Sequence, residues 1–557
     1  MSACGDCPMP LERLGPFVYQ RYQPHLPALQ AGQEPQLHDV LIAGGGPVGL
    51  STALGLALRG VRSVIIEADD SVCEGSRAAC ISRRSLEILD RLGVSRTFLG
   101  KGLPWTTGRS YYREREVLVF SMPHDETQKF PPMINLEQYY IEQFLLDEIA
   151  RVNAASPDGR PLVEMRWASK VTAFAQDAHG VRLTVENALG HYQTRGRWLV
   201  ATDGGQSFIR HALGLELKGA AYSGRYAIVD IELASASPTE RRAWFDPPWA
   251  RGTTILMHRQ PDNLWRIDYQ LRKHENTDES LTPEQIQAFV QRHLDAIGEG
   301  HLPWTPVWAS NYRAGAMTLD AYRHGRVLFA GNSAHAMPIF GVRGLNSGFD
   351  DADNLAWKLA AVVQGQGGEA LLDSYSHERV QAFHLNAEAA MRSTEFMSPP
   401  SRGFELLREA ALSLAGDHPP IANLLNPRQT SALTYARSPL SSPGDALVEG
   451  PPAGAPLRDL RLADGSHLTD PLHRTGFTLF GFGAAASRAQ ALADAIPHDA
   501  QSLPVRAVRV DDAAAAQAHG AVPGAVYLVR PDGHVAARWF DPSAPQVQAA
   551  WRAACAR

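Results

Sequence analysis

Residues 40–67 constrain the fold of this chain more than any other stretch. They read VLIAGGGPVGLSTALGLALRGVRSVIIE, in which a short apolar run precedes a glycine turn, an alanine- and leucine-rich segment and a second β-branched run. That order predicts a strand, a turn, a helix and a second strand.

The glycine turn has the spacing G-x-G-x-x-G at Gly44, Gly46 and Gly49. Glycines at this spacing allow a tight turn, let a pyrophosphate approach the helix N-terminus and let the helix lie close to the strand. Glu67 lies 23 residues after Gly44, where a carboxylate can accept a hydrogen bond from an adenosine ribose. The pattern predicts a dinucleotide site, and the alternative is a glycine turn in an ordinary α/β unit.

Bulk properties exclude several classes of protein. A chain of 557 residues is too long for one core, so two or three domains are expected. A formal net charge of −6 argues against nucleic acid and an anionic membrane as partners. The sequence has no uninterrupted apolar run of about eighteen residues and no secretory signal. Five cysteines, an odd number, fit a reducing cytoplasm.

One cysteine pair, Cys4 and Cys7, forms a C-x-x-C motif that could in principle bind a metal or cycle as a dithiol. The sequence has no second pair with zinc spacing, so we predict no metal site.

Two further segments repeat the strand-and-turn logic of the opening. Residues 198–215 (WLVATDGGQSFIRHALGL) contain a buried strand that ends at a turn formed by Asp203, Gly204 and Gly205. Residues 326–363 predict a third strand, turn and helix. Between them, residues 226–233 and 265–271 predict strands of a sheet that covers a pocket.

The second of these strands, WRIDYQL, alternates strictly in polarity. Alternation places successive side chains on opposite faces of a strand. We therefore expect one face to carry Arg266, Asp268 and Gln270, and the other to carry Trp265, Ile267 and Tyr269.

Residues 438–456 are dense in proline and glycine and predict a linker. The following hundred or so residues predict a small α/β domain, in which Asp532 and Gly533 form a hairpin turn between two β-rich runs.

Three segments together resemble the aromatic hydroxylases among the FAD-dependent (class A flavoprotein) monooxygenases. They are GGGPVG (44–49), ATDGGQSFIR (201–210) and AGNSAHAMPIFGVRGLNSGFDDADNLAWKLA (330–360), and the likeness covers residues 39 to about 394. It implies an α/β fold: a Rossmann-like FAD-binding domain with an inserted β-sheet substrate domain. The tail is similar to the thioredoxin-like C-terminal domain of the phenol and 3-(3-hydroxyphenyl)propionate hydroxylase branch. Cys555 is the only cysteine in this tail, which argues against a dithiol role.

The resemblance and the composition together predict the division of the chain. The predicted parts are an N-terminal extension (1–38), the first part of the FAD-binding domain (39–215, with substrate-domain strands near 103–132), the substrate-binding sheet domain (216–318), the second part of the FAD-binding domain with helices (319–437), the linker (438–456) and the thioredoxin-like domain (457–557).

Carried over position by position, the resemblance implies a set of cofactor-binding residues. The cofactor set is Gly44, Gly46, Pro47, Val48, Gly49 and Glu67 for the ADP half of FAD, Arg77 and Gln138 for the phosphate and ribityl regions, Asp203 and Gly204 for FAD and the nicotinamide cofactor, Gly331 and Asn332 beside the ribityl chain, and Gly344, Leu345 and Asn346 beside the isoalloxazine ring. The catalytic candidates are Pro338, Phe340, Arg343 and Tyr269. The N-terminus of the helix that begins near Asn346 would direct N–H groups at a reduced, anionic flavin.

The activity that the resemblance implies is hydroxylation of a phenolic or related aromatic substrate with NADH or NADPH and dioxygen, through a flavin hydroperoxide. Substrate contacts are expected from Trp265 and Tyr269 and from the loop at Ile339 and Phe340. The base that deprotonates the phenol stays open between His258, Tyr269 and other residues. The resemblance also makes a homodimer plausible.

Two alternatives remain at this stage. One is a flavin oxidase or dehydrogenase without oxygen insertion, and the other is a non-catalytic flavin-binding sensor. Hydroxylated product would separate the first alternative from a monooxygenase, and ligand binding without turnover would support the second.

The sequence departs from the family pattern in the third segment. Asn332 stands where an aspartate is usual, which replaces a charged acceptor by an amide. Ile339, Val342 and Arg343 stand where proline, glycine and glutamine are common. Because valine lacks the freedom of glycine at positive φ, we expect the loop to take a different path here.

Overall fold

The computed structural model describes residues 15–75, 78–272, 282–422, 432–445, 449–521 and 524–557, with residues 222–223 and 313–314 described by their backbone alone. Two sequence predictions, the cofactor contact of Arg77 and the Cys4–Cys7 motif, lie outside the described residues.

A largely parallel sheet contains the predicted nucleotide-binding unit. The strand Gln33–Ala43 pairs in parallel with Ser63–Ile66 on one side and with Gly190–Ala201 on the other. Its last four residues are buried, as a central parallel strand requires. In spatial order the strands are Arg323–His324, Val327–Phe329, Gly190–Ala201, Gln33–Ala43, Ser63–Ile66 and Val163–Arg166, with Val181–Asn187 and Lys170–Gln176 continuing antiparallel from Gly190–Ala201.

An eight-stranded sheet, here called the middle sheet, lies beside it. Its strands in spatial order are His335–Ala336, Trp304–Thr318, Lys218–Leu233, Leu264–Leu271, Thr254–Arg259, Arg241–Phe245, Thr107–Tyr112 and Arg115–Ser121. The strands expected near residues 103–132 therefore include two members of this sheet. A small third sheet, formed by Cys80–Ser82, Met133–Asn135 and Leu103–Trp105, packs near it.

Helices cover these sheets. In the first 422 residues the α-helices are Pro47–Ala57, Arg83–Arg91, Ser95–Lys101, Gln138–Ala154, Phe208–Ala212, Pro283–Ala296, Gly344–Val363, Ala370–Met397, Arg402–Ala415 and Pro419–Ala422. In the described part of the chain, no helix combines the length and apolar character needed to cross a bilayer.

The C-terminal part has the thioredoxin-like topology that the resemblance implied. Its strands in spatial order are Val505–Val510, Phe477–Gly483, Gly524–Val529 and Val535–Trp539, and its helices are Ala489–Asp494, Ala513–Ala518 and Ala544–Ala554. The first two strands pair in parallel and the remaining pairs are antiparallel. Asp532 and Gly533 lie in the hairpin between the last two strands, as predicted.

Buried charges join this part to the rest of the chain. Arg530 donates to both carboxylate oxygens of Glu378, at 2.6 and 3.0 Å, and Lys358 donates to the same carboxylate at 2.7 Å. All three side chains are fully buried. Because Lys358 lies on the helix Gly344–Val363, the C-terminal part is tied to the helix that follows residues 338–343, here called the flavin loop.

Candidate active site

The first glycine turn has three different steric requirements. Gly44 has φ of +100°, and a Cβ there would lie 2.4 Å from the carbonyl oxygen of Thr202. A Cβ at Gly49 would lie 2.1 Å from the carbonyl oxygen of Gly44. At Gly46 a Cβ would meet no described atom within 4 Å. The turn therefore needs two glycines for its own packing and leaves open space at the third, where a phosphate can approach.

The helix Pro47–Ala57 begins at this open space. Gly46 is its N-cap, Pro47 is its first residue, and among the described residues no side chain bonds to the cap. The N–H groups of the first turn are thus free for an anionic ligand. The side chain of Val48 packs against the Cα positions of Gly331 and Gly348, where an added Cβ would lie 3.0 and 2.6 Å away. This contact brings the first and third predicted segments together.

Glu67 lies at the end of the strand Ser63–Ile66, beside the turn. Its carboxylate accepts hydrogen bonds from the backbone N–H of Gly45 and, at 2.9 Å, of Asp69. Burial raises the pKa of Glu67 above its usual value, and these N–H groups oppose that effect. The carboxylate is therefore held next to the glycine turn.

The second turn lies directly against the first. Asp203 accepts hydrogen bonds from the hydroxyl of Ser207 at 2.6 Å and from the N–H of Ile209 at 3.0 Å, and Gly204 has φ of +78°. Burial raises the pKa of Asp203. Arg210 donates to the carbonyl oxygens of Gly205 and Ser333, and so ties the second turn to the third. We did not single out Arg210 from the sequence, although it lies in the second motif.

The third segment is held by a carboxylate that the sequence analysis missed. Asp351 accepts hydrogen bonds from the N–H of Gly331 at 2.9 Å and from Arg379 at 2.6 Å, and His335 Nε2 lies 2.7 Å from it. Burial alone would raise the pKa of Asp351, but Arg379 and His335 hold it below its usual value. Asn332, next to Gly331, is exposed. The only sequence signal was an aspartate two turns inside a helix that follows a glycine-rich loop.

The loop before the helix Gly344–Val363 carries three of the catalytic candidates. Pro338 and Phe340 are buried, and the Phe340 ring lies 5.2 Å from the ring of Tyr226 on the middle sheet. Arg343 is buried and donates to Asn386 at 2.6 Å. Burial lowers the pKa of Arg343 to about 10. A positive charge is thus placed at the helix N-terminus, in a region with little water.

Val342 adopts φ of +58°, the region that glycine favours. A β-branched residue in this region stores about 1–3 kcal/mol of strain. The loop therefore follows a glycine-like backbone path at this residue despite the valine.

Asn346 connects this loop to the small third sheet. Its side-chain oxygen accepts hydrogen bonds from the N–H of Ser82 at 2.9 Å and the hydroxyl of Ser85 at 2.6 Å. Its side-chain nitrogen donates to the carbonyl oxygens of Cys80 and Val342. Among described atoms, none lies within 4 Å of a Cβ added at Gly344, so the helix N-terminus next to Leu345 is open.

Gln138 is the first residue of the helix Gln138–Ala154. It donates to Glu142 at 2.9 Å, and the other oxygen of Glu142 accepts the N–H of Cys73 at 2.7 Å. Burial raises the pKa of Glu142 to about 7. Gln138 thus lies beside the loop that follows Glu67.

The remaining catalytic candidate, Tyr269, lies on the opposite face of the middle sheet from Phe340. Its ring packs 4.1 Å from that of Phe289 on the helix Pro283–Ala296, and Trp265 belongs to the same hydrophobic cluster. Since the sheet itself lies between both side chains and the loop at Ile339 and Phe340, the geometry does not support the predicted substrate contacts of Trp265 and Tyr269. Their roles stay predictions.

The face toward the loop carries charges instead. Directly paired residues run across four strands as Arg241, His258, Arg266 and Asp230, and Asp268 lies one row away. Each of these five side chains is at most 7% exposed. Of these five residues, the sequence analysis named only His258 as a possible base. The sequence pattern that pointed to this charged face was the alternation of WRIDYQL, which placed Arg266 and Asp268 on the same side of the strand.

Comparisons with known sequences agree with this geometry. The family model described as "FAD binding domain" matches residues 38–390, and the one described as "Aromatic-ring hydroxylase, C-terminal" matches residues 450–557. A 3-(3-hydroxy-phenyl)propionate/3-hydroxycinnamic acid hydroxylase of Mycolicibacterium smegmatis is 28% identical over 448 residues, which cover 79% of this chain and 76% of the relative. A protein of the same description from Escherichia coli is 28% identical over 69% of this chain and 66% of its own length.

Solved structures share the fold. The flavin-dependent monooxygenase PieE, solved with FAD and substrate, superposes with a TM-score of 0.77 at 21% identity, over 93% of this chain and 98% of its own. Aklavinone-11 hydroxylase, solved with FAD and aklavinone, superposes with a TM-score of 0.76 at 23% identity, over 94% of this chain and 100% of its own.

Proposed function

The chain belongs to the FAD-dependent aromatic-ring hydroxylases, and from that membership we propose that it hydroxylates a phenolic ring with NADH or NADPH and dioxygen. The observation that carries the proposal is the convergence of the three glycine-containing segments on the buried charged face of the middle sheet. Val48 joins the first segment to the third, and the contact of Phe340 with Tyr226 joins the third to the sheet.

The residues present fit FAD. The open space at Gly46 and the uncapped helix start at Pro47 suit a pyrophosphate, and the half-buried carboxylate of Glu67 suits a ribose hydroxyl. Gln138 and Asp203 would contact the cofactor further along its length. The exposed amide of Asn332 would meet the ribityl chain.

When bound, FAD would supply the redox chemistry, which is acceptance of a hydride from the nicotinamide and transfer of one oxygen atom of dioxygen to the ring. The chain's own work is binding, orientation and exclusion of water. The N–H groups at Gly344 and Leu345 and the buried charge of Arg343 favour an anionic ring beside them. Pro338 and Phe340 form an apolar wall that keeps water from the reacting atoms.

Several finer points belong to the same proposal. The nicotinamide cofactor binds transiently near Asp203 and then departs. Dioxygen is the second co-substrate. The reaction takes place in a reducing cytoplasm. The protein forms a homodimer, as the family resemblance suggests. The division of the chain at residues 38, 215, 318, 437 and 456 is the domain arrangement that we propose.

The substrate class follows from the site and from the relatives' names. Two relatives are described as hydroxylases of a hydroxyphenyl propionate, an electron-rich phenol with an acidic side chain. The buried arginines Arg241 and Arg266 on the sheet face would stabilise a phenolate. We therefore propose a substituted phenol.

The test is the oxidation of NADH and NADPH by the purified, FAD-supplemented protein, with and without a panel of substituted phenols. Hydrogen peroxide and product are assayed in the same reactions. We expect one phenol to accelerate oxidation and to yield a product one oxygen atom heavier without matching peroxide. Oxidation that yields only peroxide with every phenol would contradict the proposal and favour an oxidase.

A further inference from the structure

We propose that His258 accepts the proton of the substrate's phenolic hydroxyl and that Asp268 positions and stabilises the resulting imidazolium. The inference rests on the proposed function, since it names the base for that reaction. The sequence left this choice open between His258, Tyr269 and other residues, and the structure separates them by the face of the sheet on which each lies.

The first step is the register of the middle sheet. His258 pairs directly with Arg241 on one side and with Arg266 on the other, and Arg266 pairs with Asp230. Directly opposed residues of antiparallel strands project from the same face. Asp268 lies two residues after Arg266 on its strand and so shares that face.

The second step is the direction of this face. Tyr226, on the same face, contacts Phe340 of the flavin loop, and the hydroxyl of Tyr312 donates to the carbonyl oxygen of Met337 at 2.6 Å. At the other end of the face, Cys80 lies within electrostatic range of Arg241, Arg266 and Asp268, and the carbonyl oxygen of Cys80 accepts a hydrogen bond from Asn346. The charged row therefore lies on the face of the sheet that the flavin loop contacts.

The third step is the hydrogen bonding of the two groups. His258 Nε2 lies 3.9 Å from Asp268 Oδ2, too far for a hydrogen bond. Within the described part of the chain, His258 Nδ1 and Asp268 Oδ1 are buried without a hydrogen-bond partner. Buried polar atoms of native proteins are nearly always satisfied. A bound hydroxyl group that donates to His258 Nδ1 would satisfy one of them.

Other charged groups surround His258 and Asp268, and two of them, Arg266 and Asp230, pair with each other. Arg266 makes two hydrogen bonds to Asp230, at 2.9 and 3.0 Å. The titratable and charged groups that face the pair or its neighbours are Arg241, Arg266, Asp230 and Tyr226 on the sheet, and Cys80 and Glu137 from the elements packed against it.

Protonation states agree with this assignment. Burial, together with Arg241 and Arg266, lowers the pKa of His258 well below its usual value, so that the imidazole is neutral at pH 7 and can accept a proton. Burial raises the pKa of Asp268 to about 6, against the opposing effect of Arg266, so that its carboxylate is ionised above that pH.

The proton transfer balances without any further reactant. The phenolic O–H bond breaks, its electron pair stays on the oxygen, and the proton forms a bond to His258 Nδ1. The products are a phenolate and an imidazolium whose Nε2–H faces the carboxylate of Asp268. Arg241 and Arg266 stabilise the phenolate, and the more electron-rich ring then reacts faster with the oxygen-donating flavin.

The test measures hydroxylated product against pH, from 5.5 to 9, for the FAD-loaded wild type and the variants His258→Gln and Asp268→Asn. The substrate is a phenol that the wild type hydroxylates. The matched control is His293→Gln, because His293 is equally buried in this sheet's surroundings but lies on the helix Pro283–Ala296, where its Nδ1 accepts a hydrogen bond from Trp249. Flavin content and thermal midpoint are recorded for every variant.

We expect His258→Gln to lower kcat/KM by a factor of about 100 or more across the whole pH range, the usual contribution of a general base, because the wild-type imidazole is neutral throughout that range. Asp268→Asn should lower the rate by about tenfold and remove the decline of the wild-type rate near pH 6, because the carboxylate that titrates there is absent. The control should keep the wild-type profile.

Three results would overturn the proposal. They are a loss of less than about tenfold in His258→Gln, an unchanged acid decline in Asp268→Asn, and loss of bound FAD in both variants while His293→Gln retains it, which would assign the pair a structural role. If no phenol gives product with the wild type, the proposed function itself fails. If the wild type turns over and His258→Gln matches it, only the assignment of the base fails.

Discussion

The two faces of the middle sheet are almost equally buried but have opposite chemistry. One face, with Ile255, Trp265 and Ile267, packs against the helix Pro283–Ala296 in an apolar cluster. The other holds Arg241, His258, Arg266, Asp230 and Asp268, none more than 7% exposed. The first face stabilises the fold through apolar burial, whereas the second removes charges from water, which is costly unless they are paired or functional. The degree of burial therefore does not distinguish the site from the rest of the sheet. The site is identified by side chains that are both buried and charged.

On the apolar face the largest effect is expected from Trp265→Ala. Trp265 is 1% exposed, and truncation would leave a cavity, so we expect the free energy of unfolding to fall by about 3–5 kcal/mol. Urea unfolding followed by far-ultraviolet circular dichroism measures the change. A loss below about 1 kcal/mol would mean that this face is not the structural one.

On the charged face, Asp230→Asn should cost about 3 kcal/mol, because it leaves the buried guanidinium of Arg266 without its carboxylate. The matched control is Asp320→Asn, which breaks an ion pair with Lys218 whose side chains are 69% and 71% exposed. We expect the control to cost less than about 1 kcal/mol in the same urea experiment. Equal effects of the two substitutions would show that the charged face is open to water.

Glu137 gives a pH-dependent test of the charged face. Its side chain is fully buried near Arg266 and Asp230, and burial raises its pKa to about 8. A raised folded-state pKa stabilises the fold below the unfolded-state pKa, and this contribution is lost as the pH rises through about 4.5 to 8. Within that window the free energy of unfolding should lose about 1.4 kcal/mol per pH unit from this group.

Glu137→Gln should remove that dependence, because glutamine does not titrate. Thermal midpoints of the wild type and the variant between pH 5 and 9 measure the difference. Parallel curves for the two proteins would contradict the burial of an acid at this position.

The smallest effect is expected from Tyr269→Phe. Tyr269 packs against Phe289 on the apolar face, so we expect kcat/KM for hydroxylation to change by less than about twofold. Tyr226→Phe, on the charged face beside Phe340, should change it severalfold, since the hydroxyl of Tyr226 bonds to Ser398. A tenfold loss in Tyr269→Phe would support the catalytic role predicted from the sequence.

The features that could be predicted from the sequence are those set by residues close together in the chain. The alternation of WRIDYQL assigned its side chains to two faces, and the structure confirms that Trp265 and Ile267 lie on one face and Arg266 on the other. The glycine spacing at Gly44 and Gly49 likewise predicted a close approach of backbone segments, which the structure shows.

The sequence did not predict which face of the sheet meets the flavin loop. That depends on contacts between distant segments, such as Phe340 with Tyr226 and Asn346 with Cys80. An alternating strand is most often apolar inward and polar outward, so aromatic residues were the natural first candidates for substrate contacts. Here both faces are covered, and the charged one faces the site. The role of Asp351 was missed for the same reason, because its partner Arg379 lies on another helix.

The most direct test of the account uses dioxygen labelled with ¹⁸O. The purified FAD-loaded protein is supplied with NADH or NADPH, a phenol that accelerates their oxidation, and ¹⁸O₂, and the product is analysed by mass spectrometry. We predict a hydroxylated product that carries one ¹⁸O atom per molecule, formed in proportion to the nicotinamide oxidised. Label found only in hydrogen peroxide, or a product whose new oxygen comes from water, would contradict a flavin monooxygenase.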